Sequence, residues 1–168
     1  MDSVMETSAI EKRQNVQTSH MELDEADHKI LRELQRDARM SFKTIAQKVG
    51  VSEATVFVRV RKMQERGVIR SFSAIVDPKA VGKDLTAIVL VRATPQAFPG
   101  TLNALKKLDD IYEIYDVTGQ YYSILKIRTS GTEDLGKIMD AIGAIDGIAG
   151  TETIIVLRTV KEDFTVRT

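Results

Sequence analysis

The chain has 168 residues, with 24 basic and 24 acidic side chains and therefore a formal net charge of zero. This length accommodates one medium domain or two small ones. The absence of cysteine excludes a disulfide framework, a thiolate nucleophile and cysteine-ligated zinc, and two histidines are too few for a histidine-rich metal site. The longest apolar stretch is far shorter than the ~20 residues that span a bilayer. We therefore expect a cytoplasmic protein with no cofactor, no metal and no membrane partner.

Three short helices are predicted near the start of the chain, after a polar stretch over residues 1–22 that is predicted to be a flexible tail. Each helix begins with a side chain that can accept a hydrogen bond from the first turn, followed by apolar residues at helical spacing. These N-cap candidates are Asp24, with Asp27 completing a capping-box pattern, Ser41 and Ser52. Because Gly50 ends the second helix and the connections are tight, residues 23–68 are predicted to form a helix-turn-helix domain of winged-helix-like type.

The hydrophobic period changes after Gly67 to one typical of strands. Val68–Val76 is predicted to be a strand, within a linking strand and hinge over residues 69–84. Beyond it the pattern alternates strand, helix, strand, strand, helix, strand, before a C-terminal tail over residues 161–168. The predicted strands are 85–93, 112–117, 122–129 and 151–159, and the predicted helices are 101–108 and one capped by Thr132. The chain is therefore predicted to be an α+β protein, with a ferredoxin-like βαββαβ domain over residues 85–160 after the helix-turn-helix.

One face of such a sheet is covered by its two helices, whereas the other face is open. Depending on strand register, the candidates for the open face are Val89, Val91, Ile124 and Ile154. Tyr112 and Tyr115 could belong to a binding site, but packing on the sheet is the role that we predict for them. Because apolar side chains exposed together usually mark an interaction surface, we predict self-association, as a homodimer, through this domain.

The zero net charge hides an uneven distribution along the chain. Residues 1–20 carry −1, residues 21–82 carry +3 and residues 83–168 carry −2. Within residues 39–70 there are eight basic side chains and two acidic ones, so this segment alone is +6. The excess lies on the second and third helices, where a helix-turn-helix contacts DNA. The charge distribution therefore predicts double-stranded DNA as a partner.

The third helix separates into a core face and an outward face on a helical wheel. Val56, Val60 and Met63 share the face predicted to be buried. On the outward side, small apolar or hydroxyl side chains suit thymine methyl groups, arginine suits guanine or phosphate, and serine hydroxyls mark helix N-termini that favour phosphate. The DNA-binding candidates are Ser41, Lys43, Ser52, Ala54, Thr55, Val58, Arg59, Arg61 and Lys62.

Some of these residues also admit simpler roles. Charged side chains on a helix surface are often only solvated, although three helices at this spacing and two capped N-termini favour DNA contact. Arg59 lies beside the core face, so a structural salt bridge suits it as well as a phosphate contact. Phe57, at the edge of the core face, is predicted to pack against the first helix rather than to intercalate.

Six stretches between about residues 21 and 160 form one ordered pattern: Leu23–Leu31, Ser52–Val56 with Arg59-Val60, Gly67–Ile69, Asp77–Gly82, Val117–Gly119 and Thr151–Leu157. In this order they are similar to the Lrp/AsnC, or feast/famine, transcription regulators. The resemblance implies an N-terminal DNA-reading domain, a linking strand and a C-terminal βαββαβ domain of the type called RAM. It also implies dimers that commonly assemble further, often to octamers, and an amino-acid effector bound between dimers.

The resemblance also places the effector site. It implies a turn of one subunit, completed by the last strand of a neighbouring subunit: Gly119, Gln120, Tyr121, Tyr122 and Ser123 from the turn, and Thr151 and Thr153 from the strand. The family often has an aspartate at the position of Tyr122, and a phenol is a weaker partner than a carboxylate for a ligand ammonium. An altered amino-acid specificity, a different small molecule and no ligand at all therefore stay open.

Taken together, these patterns predict a sequence-specific DNA-binding transcriptional regulator that responds to an amino acid or related small molecule. One alternative is a weakly specific architectural DNA-binding protein. Another is an enzyme, because sirohaem decarboxylases resemble this family and act on a tetrapyrrole with His and Arg. The C-terminal domain has no histidine and no Ser-His-Asp or glycine-rich phosphate pattern, so no enzyme is expected.

Overall fold

The computed structural model of the chain describes residues 22–94 and 96–168, and the predicted flexible tail, apart from Glu22, lies outside this part. The described residues form two compact units. One comprises the described residues up to Ser73 together with Asp163–Thr168, and the other is Ala74–Glu162. The division after Ser73 falls inside the stretch predicted to be a linking strand and hinge.

The first unit contains three helices: α1 over Glu25–Arg36, α2 over Phe42–Val49 and α3 over Glu53–Glu65. The predicted capping box is confirmed, because the Asp24 carboxylate accepts from the Asp27 amide at 2.8 Å and the Asp27 carboxylate accepts from the Asp24 amide at 3.2 Å. Ser41 and Ser52 are likewise confirmed as N-caps of α2 and α3. Local hydrogen bonds thus define where each helix begins.

The core of the first unit is built from all three helices. Ile30 of α1 and Ile45 of α2 are fully buried, as are Val56 and Met63 of α3, while Val60 is nearly so. The buried face of α3 is therefore the one that the helical wheel predicts. The connection between α2 and α3 turns at Gly50, whose φ of 81° lies in the left-handed region that glycine adopts without strain.

Phe57 packs differently from the prediction. Its ring contacts Phe42 of α2 edge-to-face, with 6.2 Å between the ring centroids, rather than packing against α1. It also stays 52% exposed. An aromatic side chain at the edge of a core face can turn toward either neighbouring helix, and here an aromatic partner at the start of α2 offers the better contact.

The C-terminal residues pack on α1 within the first unit. The side-chain amide of Gln35 donates to the Val166 carbonyl at 2.9 Å, and its oxygen accepts from the Val166 N–H at 2.6 Å. Arg32 donates to the carbonyl of Thr168 at 2.8 Å. These contacts anchor a segment that the sequence pattern describes only as a tail.

The second unit is the predicted βαββαβ arrangement. Its strands are β1 over Leu85–Ala93, β2 over Ile111–Asp116, β3 over Ser123–Thr129 and β4 over Ile148–Ile155, and its helices are α4 over Phe98–Leu105 and α5 over Thr132–Gly143. The four strands form one antiparallel sheet in the order β2-β3-β1-β4. Both α4 and β4 begin three residues earlier than predicted. Thr132 is the first helical residue rather than the cap, which is Gly131.

The register of β1 corrects the predicted open face. Val89 and Val91 are fully buried on the helix-covered face, so their assignment to the open face is wrong. Ile88 and Leu90 alternate with them and face the other way, opposite Lys126 and Ile124 of β3. Because β1 is apolar at almost every position, its alternation does not reveal which side is covered. The assignment of Ile154 agrees with the structure, since it pairs with Ile88 and is 48% exposed.

Residues 68–76 form no strand within the described chain, contrary to the prediction. A strand requires a neighbour that satisfies its backbone N–H and C=O groups, and none of the four described strands pairs with this segment. Ile69 packs on the core of the first unit, but Phe72, Ile75 and Val76 are exposed by 45%, 73% and 55%. The segment therefore has the composition of a strand but no partner strand in the described part of the chain.

Two valines on α3 can test which face of this helix is buried. Val56→Ala should lower the free energy of unfolding of the first unit by about 2–3 kcal/mol, because it removes buried methyl groups and leaves a cavity. Val58→Ala should change it by less than about 0.5 kcal/mol, because Val58 is 47% exposed. Urea denaturation followed by circular dichroism, with hydrogen exchange to assign the transition, measures both. Equal losses would contradict the assigned faces of α3.

Candidate nucleic-acid interface and effector site

Four exposed residues follow the face of α3 opposite its core: Ala54, Val58, Arg61 and Glu65. We call them the outward stripe. Three of them are predicted DNA-binding residues, whereas Glu65 was not among the candidates. The Arg61 Nε–H donates to Glu65 Oε1 at 2.9 Å. The (i, i+4) spacing of an arginine and a glutamate could have indicated this contact.

A surface cleft lies beside the outward stripe. It brings together five of the predicted DNA-binding residues, Ala54, Thr55, Val58, Arg59 and Lys62, with Arg66, Glu22 and Asp27. The cations Lys62 and Arg66 have no acidic partner within 4.0 Å in the described part of the chain. The cleft therefore combines short uncharged side chains with two cations that are not neutralised by ion pairs.

The other predicted DNA-binding residues lie outside the cleft. Ser41 and Ser52 are exposed at the first turns of α2 and α3, where each hydroxyl accepts from the amide three residues later at 3.1 Å. Lys43 is exposed in the first turn of α2. The first-turn amides of each helix have no carbonyl partner within that helix, and Lys43 lies beside them in the case of α2.

Arg59 forms an ion pair inside the first unit. Its Nη1 atom lies 2.7 Å from Asp24 Oδ2 and 2.8 Å from Asp27 Oδ1, and Asp27 is only 3% exposed. The hydrogen bonds to Asp27 and Asp24 raise the pKa of Arg59. Of the two roles that the sequence leaves open for Arg59, the structure forms the salt bridge, which joins the first turn of α1 to the middle of α3.

The Asp24 carboxylate responds to the same network. The amide of Asp27 and then the Arg59 guanidinium hold the pKa of Asp24 below its ordinary value of 3.8. A carboxyl group whose pKa is lower in the folded state stabilises the fold above its ordinary pKa, and this contribution is lost as the pH falls through the lowered value. The contribution of Asp24 is therefore present at neutral pH and is lost in acid.

The predicted effector turn connects β2 and β3. Gly119 has a φ of 117°, a conformation that favours glycine. The Tyr122 N–H donates to the Val91 carbonyl at 2.9 Å, and the Tyr122 carbonyl accepts from Val117 at 3.1 Å. These bonds fix the turn at the end of β1. Ser123 is fully buried, and its Oγ has no hydrogen-bond partner in the described part of the chain.

The two predicted threonines of β4 lie near this turn in the same chain. Thr151 and Ser123 are the partners of Val91 on its two sides, so they share a sheet face about 10 Å apart, two strand spacings. Thr153 donates from Oγ1 to the sulfur of Met139 at 3.6 Å. The turn and both threonines thus lie at one end of the sheet of a single chain.

Glu152 is not among the effector-site residues predicted from the sequence. It lies between Thr151 and Thr153 on the opposite sheet face, and its carboxylate accepts from the Tyr121 hydroxyl at 2.5 Å. This hydrogen bond raises the pKa of Tyr121. The contact joins residues 31 positions apart in the chain, so only the sheet register could reveal it.

Comparison with known proteins identifies the family. The family model of the AsnC-type helix-turn-helix domain matches residues 23–64, and that of the Lrp/AsnC ligand binding domain matches residues 86–166. The chain belongs to the Lrp/AsnC family. The two matched domains correspond to the three-helix part and the sheet part described above.

Relatives of this Lrp/AsnC protein agree in sequence and fold. The HTH-type transcriptional regulator FL11 from Pyrococcus horikoshii is 41% identical over 140 residues, which cover 83% of this chain and 93% of FL11. E. coli AsnC has a TM-score of 0.81 and 32% identity, with 86% of this chain and 98% of AsnC covered. A feast or famine regulatory protein from M. tuberculosis, complexed with L-methionine, has a TM-score of 0.81 and 28% identity, with 87% and 99% covered.

These findings establish the class of the Lrp/AsnC protein described here. It is a transcriptional regulator with a helix-turn-helix DNA-binding domain and a ligand-binding domain. Among the described residues, no helix has the length and apolar character needed to cross a membrane. The α+β fold predicted from the sequence is confirmed.

Substitution of Arg59 can distinguish a structural salt bridge from a phosphate contact. Arg59→Ala should lower the free energy of unfolding of the first unit by about 1–3 kcal/mol, because the buried Asp27 carboxylate loses its charged partner. Arg61→Ala, which removes an exposed pair, should change it by less than about 1 kcal/mol. Urea denaturation measures both. If Arg59 contacts phosphate instead, its removal should spare stability and lower the salt dependence of DNA binding.

Proposed function

We propose that this Lrp/AsnC regulator reads specific DNA sequences with α3 in the major groove. The single observation that supports this most is the composition of the exposed side of α3, where uncharged short side chains lie beside unneutralised cations. Ala54, Thr55 and Val58 suit base edges, and Lys62 suits phosphate. Ser41, Lys43 and Ser52 are assigned to phosphate contacts at the starts of α2 and α3.

The same composition favours sequence-specific reading over architectural binding. Side chains such as Ala54 and Val58 contribute nothing to phosphate binding, but they can contact thymine methyl groups. A protein that only coats DNA needs cations and little else. The relatives are named transcriptional regulators, which supports regulation rather than catalysis, and we assign this chain no enzymatic activity.

Self-association is the next element of the proposal. Residues 68–76 have the composition of a strand but no partner strand among the described residues, and the open sheet face exposes Ile154 and Tyr115 by about half. A second copy of the chain would cover both surfaces. A homodimer would present two α3 helices to successive major grooves, about 34 Å apart, on a pseudo-palindromic site. The family resemblance implies further assembly, up to an octamer.

An amino acid or a related small molecule is the proposed effector. It would bind at residues 119–123 of one subunit, with Thr151 and Thr153 of a neighbouring subunit. The structural relative complexed with L-methionine supports this ligand class. The effector would change DNA affinity only if it bound one arrangement of the DNA-reading domains better than another.

DNA binding by this surface should depend steeply on salt. For wild-type protein, the logarithm of affinity should fall linearly with the logarithm of salt concentration. The reason is that lysine and arginine side chains that bind phosphates release counterions from the DNA. Lys43→Ala and Lys62→Ala should each reduce this slope by about 1. Lys137→Ala, on α5 of the other unit, is the control and should leave the slope unchanged. Binding that does not respond to salt would contradict the phosphate assignments.

The effector turn can be tested by restoring the acidic residue that the family often has. Tyr122→Asp should bind amino-acid effectors about five- to tenfold more tightly than wild type, because a carboxylate makes a stronger hydrogen bond to an ammonium than a phenol does. Calorimetry with a panel of the twenty amino acids measures this. A desamino analogue of the best ligand is the control, and an equal gain for that analogue would contradict contact with the ammonium.

A further inference from the structure

The Arg61–Glu65 pair on the outward stripe has no evident structural role. The two side chains are 69% and 59% exposed, and they contact each other across one helical turn. Exposed pairs of this kind contribute little to stability because water already solvates both groups. The pair also lies away from the core of the first unit. Its position on the surface of α3 that faces DNA suggests another purpose.

The geometry of the pair leaves one end of the guanidinium available. Arg61 uses its Nε–H for Glu65, and it has no other hydrogen bond or ion pair in the described part of the chain. The two terminal NH₂ groups therefore keep their outward N–H donors. Two parallel donors of this kind match the O6 and N7 acceptors that guanine presents in the major groove. Anchoring Nε also reduces the side-chain freedom lost on binding.

We propose that Arg61 reads the guanine of a G·C base pair, and that Glu65 is the positioning residue that orients it. This inference rests on the proposed function, in which α3 enters the major groove. The ligand is thus a particular base pair, which Arg61 recognises through a bidentate hydrogen bond. The glutamate holds the arginine in that geometry before DNA arrives.

The surroundings of Arg61 favour a base over a phosphate. If Arg61 contacted a phosphate, the Glu65 carboxylate 2.9 Å from its Nε would approach the same negative group and oppose binding. A base edge carries no net charge. The remaining acceptor capacity of Glu65 can also take a hydrogen bond from the N4 amino group of a cytosine. Val58, one turn earlier on the stripe, suits the methyl group of a nearby thymine.

Phosphate contacts have better candidates on the same helix. Lys62 and Arg66 lie beside the stripe, line the cleft and have no acidic partner within 4.0 Å among the described residues. Lys62 is the neighbour of Arg61 in sequence, so the two give a matched pair of cations. Arg61 is hydrogen-bonded to a carboxylate, whereas Lys62 is not. Changing Arg61 should therefore lower base discrimination, whereas changing Lys62 should lower affinity for every site.

The first experiment measures base preference. Sites selected by the wild-type protein from random DNA define a motif, and affinities are then measured for that motif with each G·C pair replaced in turn. Arg61→Ala should lower discrimination at one G·C position by about tenfold and leave the others unchanged, because alanine has no donor for the O6 and N7 acceptors of guanine. Lys62→Ala should weaken binding to every site by a similar factor. If Arg61→Ala kept full discrimination at every position, the inference would be overturned.

The second experiment isolates Glu65. Glu65→Gln removes a negative charge, so affinity for random DNA should rise, whereas discrimination at the Arg61-dependent G·C pair should fall at least threefold. If the pair were only solvated, affinity for both kinds of DNA would rise equally and discrimination would be unchanged, which would overturn the positioning role. Circular dichroism and thermal midpoints check that α3 stays folded. Glu53→Gln, at the start of the same helix, is the matched control for charge.

The outcomes for the inference and for the proposed function are distinguishable. If the wild-type protein selects no motif, sequence-specific reading fails and the inference fails with it. If a motif is selected and Lys62→Ala weakens binding, but Arg61→Ala and Glu65→Gln leave all base preferences intact, the proposed function stands and only the assignment of Arg61 and Glu65 is wrong.

Discussion

The ion pair between Arg59 and the aspartates of α1 is the contact on which the geometry of the DNA-reading unit depends. Asp27 is buried, and a buried carboxylate is tolerated only when it is paired and hydrogen-bonded. Arg59 must therefore face α1, which fixes the rotation of α3 about its own axis. Since successive helical residues lie about 100° apart, Val58 and Arg61 then face outward on the side away from the core.

The same constraint separates charges with different tasks. Arg59 is occupied inside the unit, Arg61 is bound to Glu65 on the outward stripe, and Lys62 has no acidic partner within 4.0 Å in the described part of the chain. Three cations within four residues of one helix are thus in three electrostatic states. A neutral total charge does not describe such a surface, because recognition depends on which cations remain unpaired where DNA approaches.

The helices of the first unit could be predicted from sequence because their boundaries are local. Asp24, Ser41 and Ser52 each bond an amide three residues away, so the pattern that predicts the cap also contains the partner. Which residues form the open sheet face is harder to predict, because β1 is apolar on both sides. The assignment of Val89 to that face is therefore wrong. The segment 68–76 has strand composition, but no strand pairs with it in the described part of the chain.

The features of the candidate sites likewise divide into those that the sequence predicts and those that depend on the tertiary structure. Sequence alone determined the three helices of the first unit, the excess of cations on them, the βαββαβ order and the residues that α3 exposes. Each of these features depends on neighbours within about one or two helical turns or strand repeats. Tertiary structure decided that Arg59 pairs with α1 and that Glu152 reaches Tyr121 at the turn. Those contacts join residues more than thirty positions apart, and no local periodicity encodes which distant side chains the fold brings within hydrogen-bonding distance.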